Sequence, residues 1–208
     1  MEVHPPHEPI HTWRQFFLHL FTITVGLLIA LGIESAAEAV HHRHLLHQAE
    51  TDLRKEMTGN HEQLAKDERQ LKAATQQFMD NLRLLEALRA HSATNGELSF
   101  RWYWGGMQSS AWDTARDTGA LALMPYEDAQ GFAGVYGQQN IVNKESEVYI
   151  TDIYRISSPL QGGRKVSDLQ PAELDTMIAN TQQTLSDIEH LGDLCHSLDT
   201  IYANASHL

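Results

Sequence analysis

Hydrophobic and polar positions divide the chain into one apolar block followed by long amphipathic stretches. From Phe16 to Ile33 the sequence reads FFLHLFTITVGLLIALGI, with no formal charge unless His19 protonates. At helical rise this block covers roughly 27 Å, close to the bilayer's hydrocarbon thickness of about 30 Å, which predicts a transmembrane helix. Trp13 and Arg14 stand at its entry edge, where an aromatic ring and a snorkelling cation are favourable, and Glu34 and Glu38 mark its exit. The alternative is a cleaved signal peptide, with Ala37-Glu38-Ala39 as a nominal cleavage site. The length of the apolar run and the single basic residue ahead of it favour a retained anchor.

A helical pattern then runs from Ala36 past position 91 without a proline. Met57, Leu64, Leu71, Phe78 and Leu85 recur every seven residues and, with Leu82 and Leu88, predict a coiled-coil seam. Glu50/Arg54, Glu62/Lys66 and Glu68/Lys72 are i,i+4 pairs with the acid N-terminal, the favourable order. Gly59-Asn60 is the weak point of this run. After His91 the cluster Ser-Ala-Thr-Asn-Gly predicts a turn. A short helix follows, with Ser110 as N-cap, Asp113 three residues on and Gly119 as its stop. Pro125, Glu127 and Asp128 suit the first turn of a helix reaching Ser158. Ser167 and Gln170 suggest a capping box, with Pro171 opening the last helix. In that helix Leu174, Ile178, Thr181, Leu185, Ile188, Cys195, Leu198 and Tyr202 follow three/four spacing.

The expected fold is all-α: a short tail (1–15), a transmembrane helix (16–33), a helical stalk (34–56) and a bundle domain (57–205). The bundle is read as an antiparallel three/four-helix coiled-coil-like assembly. Its long helices are 57–91, 125–158 and 171–205, each roughly 50 Å long and running up, down and up. Residues 92–124 then form its far tip, and the loop 159–170 faces the membrane.

Charge and composition narrow the function classes. A formal charge of −12 without a basic cluster argues against nucleic-acid binding. The one cysteine, Cys195, excludes an intrachain disulfide framework and a multi-thiolate metal site, and its apolar position reads as core. No nucleophile elbow, HExxH, Rossmann or Walker motif occurs, so an enzyme is not expected and no cofactor is assigned.

Four features carry candidate chemistry. Within the span, Thr22, Gly26 and Ala30 form a small-xxx-small stripe that lets helices approach closely, with His19 on the same broad face. Plain membrane-helix composition is the alternative. Glu38, His41, His44 and His47 step along one helix face and could ligate a metal only with a second chain's help. The same stretch, with His42, could instead be pH-sensitive or simply polar surface. Trp102, Tyr103 and Trp104, followed by Trp112, could form a recognition surface or cap the end of the bundle core. Gly131, Gly134 and Gly137 suggest a close helix approach or a local break, and Tyr126, Tyr136, Tyr149 and Tyr154 read as half-buried helix residues.

The run Thr22-Ile-Thr-Val-Gly-Leu-Leu-Ile-Ala-Leu-Gly-Ile-Glu34, continuing through Glu38 into His41-His-Arg-His44, resembles uncharacterised bacterial single-span membrane proteins. So does Ala111-Trp-Asp-Thr-Ala-Arg-Asp-Thr-Gly119-Ala-Leu. The resemblance implies membrane anchoring and a helical soluble domain, and transfers no catalytic residue. The expected function is non-enzymatic protein–protein contact in the bacterial inner membrane, as a homo-oligomer or with other membrane-protein subunits. An extracytoplasmic sensory bundle and a metal- or haem-associated bundle using His41–His47 are the alternatives. Arg14 on the short side, against Glu34 and Glu38, favours a cytoplasmic N-terminus.

Overall fold

A computed structural model describes residues 12–92, 96–205 and 208. Most of the expected tail and the centre of the turn after His91 lie outside these. The described chain is all-α: α1 (Trp13–Arg89), α2 (Ser110–Asp117), α3 (Tyr126–Ser157) and α4 (Pro171–Asn204), with short 3₁₀ turns between them. It divides into two compact units, one ending at Gln48 and one beginning at Ala49.

In the first unit α1 contains one stretch long and apolar enough to cross a membrane, none of it buried within the chain. The hydroxyls of Thr22 and Thr24 donate to the carbonyls of Leu18 and Leu20, at 2.9 and 2.8 Å. Their polarity is thus absorbed by their own helix, as an apolar surrounding requires.

The second unit is built on buried stripes of alternating three/four spacing. On α1 these are Ala49, Leu53, Met57, Asn60, Leu64, Asp67, Leu71, Ala74, Phe78, Asn81 and Leu85. On α4 they run Leu174, Met177, Thr181, Thr184, Ile188, Leu191, Cys195, Leu198 and Tyr202. The five heptad residues from Met57 to Leu85 are all buried, whereas Leu82 and Leu88 only flank the stripe. Such spacing keeps one face of each helix against its neighbours. Phe78 and Tyr149 meet edge-on at 6.0 Å in this core.

The path of the chain differs from the expected up-down-up order. Segment 97–109 is extended and does not form a tip: it runs back along α1. Ser99 bonds Asn81, Gln108 bonds Asn60, and Ala111 bonds Glu56. The dimensions agree: nine extended residues from Ser99 to Gln108 reach roughly 30 Å, and α1 rises about 32 Å between Asn60 and Asn81. Having returned to the Ala49 end, the chain enters α3 parallel to α1, with Tyr136 bonded to Glu56 and Gln139 to Asn60. Loop 159–170 therefore lies at the Arg89 end, where Arg89 meets Asp175 at 2.7 Å. α4 returns antiparallel to both, bringing Asp199 to His61 and Tyr202 to Gln139.

The expected boundary at Met57 also moves. Burial begins at Ala49 and Leu53, because α2, the start of α3 and the end of α4 all pack at that level, so residues 49–56 belong to the bundle and not to a stalk.

Local signals fared unevenly. α1 passes Gly59-Asn60 unbroken and ends in a Schellman motif: Ser92 N–H bonds Ala87 O and His91 N–H bonds Leu88 O, with His91 at φ 53°. The N-cap position of α2 is Ser109, one residue early and without a side-chain cap bond, and the Ser110 hydroxyl donates to Glu56. Gly119, at φ 77°, follows its C-cap as expected. The box opening α4 is Gln170/Glu173, with Gln170 N–H bonding Glu173 Oε2 at 2.8 Å, not Ser167/Gln170. Arg164 donates to both oxygens of Glu173, at 2.8 and 2.9 Å, and holds that carboxyl down at about 2. Tyr136 and Tyr149 are buried while Tyr126 and Tyr154 are exposed, so none of the four is half-buried.

Candidate functional site

In the first unit Glu38 turns to His42, one helical turn on, at 3.8 Å. It does not converge with His41, His44 and His47, which are exposed. Among the described residues no group of three or more metal-ligating side chains gathers in one place. Thr22, Gly26, Ala30 and His19 are all exposed on the apolar helix, and a Cβ at Gly26 would meet nothing within 4 Å.

In the second unit the aromatic row sits on the side of the bundle, not at its end. Trp102 and Trp104 stack at 5.9 Å with planes 4° apart, and Trp102 packs onto Tyr149 of α3 at 3.9 Å. Alternation along an extended chain puts Trp102 and Trp104 on one side and Tyr103, 58 % exposed, on the other. Trp112 stacks on Tyr136 at 5.2 Å. Trp102 and Trp112 are thus half-buried against α3, Trp104 is half-buried on Trp102, and only Tyr103 faces out.

What holds this extended strap is a ladder of polar side chains that the sequence reasoning did not single out. Asn81 accepts from Ser99 N–H at 3.0 Å and donates to Ser99 O at 2.6 Å. Asn60 does the same with Gln108, at 2.8 Å for both bonds, and Asn143 of α3 with Met107, at 3.2 and 3.0 Å. Each side-chain amide reproduces the paired donor and acceptor that a neighbouring strand would offer. Asp67, fully buried, accepts from Gly105 N–H, Gly106 N–H and Gln63 Nε2, at 2.9, 3.2 and 2.9 Å. Charge-assisted bonds of this kind offset the desolvation of a buried carboxylate. Gly106 has φ +69°, a conformation that favours glycine, and a Cβ at Gly105 would lie 2.0 Å from the Gln63 amide and push it from its place beside Asp67. Gln139 closes the ladder, donating to Gln108 O at 2.6 Å while accepting from Asn60 and from Tyr202 Oη.

No protein-family model, curated protein or solved structure matches the chain.

The arrangement has the chemistry of a clamp. Its amides and carboxylates pair with backbone groups of the strap instead of converging on an open cavity. Glu56 fits this role, accepting from Ser110 Oγ and Ala111 N–H at the start of α2 and from Tyr136 Oη on α3. Burial and the nearby Glu56 raise the Tyr136 hydroxyl well above its ordinary value, so it stays protonated as a donor. The signal was present in the sequence: Asn60, Asp67 and Asn81 stand seven residues apart, or a multiple of seven, at core positions of the α1 stripe.

Open surface lies elsewhere, on α3. Gly134, Gly137, Ile141 and Val148 are exposed, spaced three, four and seven apart, with Ile141 at 49 % and Val148 at 47 %. Gly131 has a packing reason, since a Cβ there would lie 2.7 Å from Leu208. Among the described residues Gly134 and Gly137 have none: a Cβ at either would meet nothing within 4 Å.

Proposed function

We propose that this is a membrane-anchored helical protein that works by protein–protein contact, as an accessory or scaffold subunit of a membrane assembly or as a self-oligomer. The observation that carries the reading is the open stripe on α3. Glycine inside a helix costs roughly 0.5–1 kcal/mol relative to alanine. At Gly134 and Gly137 no contact among the described residues offsets that cost, and two exposed β-branched residues continue the same stripe. A partner helix approaching closely over the glycines and seating Ile141 and Val148 accounts for all four positions. The apolar stretch of α1 supplies the anchor. Arg14, set against Glu34 and Glu38, supports a cytoplasmic N-terminus in a bacterial inner membrane, with residues 49–208 outside the cytoplasm.

The test is photo-crosslinking in native membranes with the probe placed at Ile141 or Val148, and at Gln161, exposed in the loop 159–170, as a control. The reading requires a defined adduct from the first two positions, identified by mass spectrometry, and none from the third. A chain that purifies as a monomer and yields no adduct from α3 refutes it. Reporter fusions at either end check the orientation.

A further inference from the structure

In the first unit, one line along α1 repeats at alternating steps of three and four residues. Its members are Ile23, Gly26, Ala30, Ile33, Ala37 and Val40, and the series continues into His44 and His47. All of these are exposed, Ile33 and Val40 at 66 % each. This is the a/d spacing of a two-stranded coiled coil. Inside the apolar stretch Gly26 and Ala30 allow a second helix to approach closely. Val40 lies past that stretch, so membrane insertion alone does not account for it.

Copies anchored the same way in one bilayer are parallel, so this line meets its own equivalent in register. The flanking positions permit it. Across a parallel pair the g–e′ neighbours are Ile29 with Glu34, Ala36 with His41, and Arg43 with Gln48, none of like charge. His44 and His47 then present two imidazoles from each chain, in adjacent layers about 4.5 Å apart along the axis. Among the described residues a single chain gathers no group of three metal-ligating side chains, and two imidazoles fill only half of a tetrahedral ion's positions. Two chains complete the set.

We propose that a parallel pair of α1 helices binds one divalent transition-metal ion between His44 and His47 of one copy and the same two residues of a second. Four neutral imidazoles suit Zn²⁺, Cu²⁺ or Ni²⁺ and exclude Mg²⁺ and Ca²⁺, which take oxygen ligands. Glu38 and His42 stand off the seam, within 3.8 Å of each other, and take no part. The contact is isologous and closes at two chains, since the ion's four positions are then filled. The proposal rests on the reading of an anchored contact protein, but it uses α1 and not the α3 stripe.

The experiment uses the full chain, without a histidine tag, in lipid nanodiscs stripped of metal and titrated with Zn²⁺. The tightest site should hold one ion per two chains by elemental analysis. His44→Ala and His47→Ala should each weaken it by more than about tenfold, and His42→Ala should leave it unchanged. A second measurement reads the helix pair without metal: under mild oxidation Val40→Cys, on the seam, should form the disulfide-linked dimer at about ten times the yield of Ser35→Cys, off it. That dimer should survive addition of His44→Ala, which removes a ligand and leaves the apolar seam. The proposal is overturned by absence of tight Zn²⁺ binding, by one ion per chain, by an affinity that His44→Ala leaves unmoved or that His42→Ala lowers equally, or by equal dimer yields at positions 40 and 35. A chain that fails here but still gives α3 adducts loses this inference and keeps the proposed function.

Discussion

Replacing Asn60 by alanine isolates the contribution of one rung of the ladder. Asn60 is 3 % exposed and makes three bonds: it accepts from Gln108 N–H, and it donates to Gln108 O and to Gln139 Oε1. In the variant Gln108 O keeps its bond from Gln139, but Gln108 N–H loses its partner. Each of the three lost bonds is worth about 1 kcal/mol net, so the expected loss is about 2–4 kcal/mol. For a chain of this size that lowers Tm by roughly 5–15 °C. The readouts are thermal unfolding of the detergent-solubilised chain and hydrogen exchange at Gln108, which should quicken more than exchange at core amides of α4. Asn60→Asp sharpens the test. It retains the acceptor for Gln108 N–H but sets a carboxylate against two carbonyl-type oxygens, which raises its folded pKa above the unfolded value. Stability should therefore be greatest at acid pH and fall as pH rises through the carboxylate range. A change below about 0.5 kcal/mol in Asn60→Ala, with exchange at Gln108 unaltered, would refute the idea that side-chain amides hold the strap.

Four further outcomes follow from the same structure. Cys195 is fully buried and its thiol is pushed up to about 12 by burial and by the nearby carboxylates of Glu68 and Asp67, so a thiol reagent at neutral pH should react only on unfolding. Glu173 is held at about 2 by Arg164 and by Gln170 N–H, against an ordinary 4.5; its contribution is present above about 4.5 and is lost as pH falls towards 2, which circular dichroism should show as fraying of α4 that Glu173→Gln abolishes. His91→Gly should stabilise the chain by about 1 kcal/mol, since glycine adopts the left-handed C′ position without penalty, measurable as a raised Tm. Gly134→Ala with Gly137→Ala should stabilise the isolated chain by about 1–2 kcal/mol while reducing partner capture at α3; an unchanged capture yield would show that the glycines serve no interface.

The helices were legible because their information is local and periodic. Pro125 and Pro171, the acids of the first turns and the heptad from Met57 to Leu85 specify elements whose backbone bonds close within each segment. Chain direction was not legible. Equal helix lengths are compatible with an antiparallel neighbour joined by a tip loop, and equally with a parallel neighbour reached by an extended return. Only the length of 92–124 and its content bear on that choice, and Trp102, Trp104 and the Gly105-Gly106 pair look alike as an end cap or as a strap.

Asn60, Asp67 and Asn81 nevertheless held the decisive information. A helix packed against a core stripe has already used its own donors and acceptors, and it asks for apolar partners. A stripe that alternates Met57, Leu64 and Phe78 with Asn60, Asp67 and Asn81 is facing something else on its polar side: backbone with free N–H and C=O groups. Among the described residues that backbone belongs to the non-helical segment 97–109. α4 is the converse case, since its stripe carries Thr181 and Thr184 but no amide or acid. The Thr181 hydroxyl donates back to Met177 O at 2.7 Å, within its own helix. Amides and acids at seven-residue spacing inside a helix core thus predict an extended strap alongside that helix, and a buried hydroxyl bonded within its own helix, such as Thr181, does not.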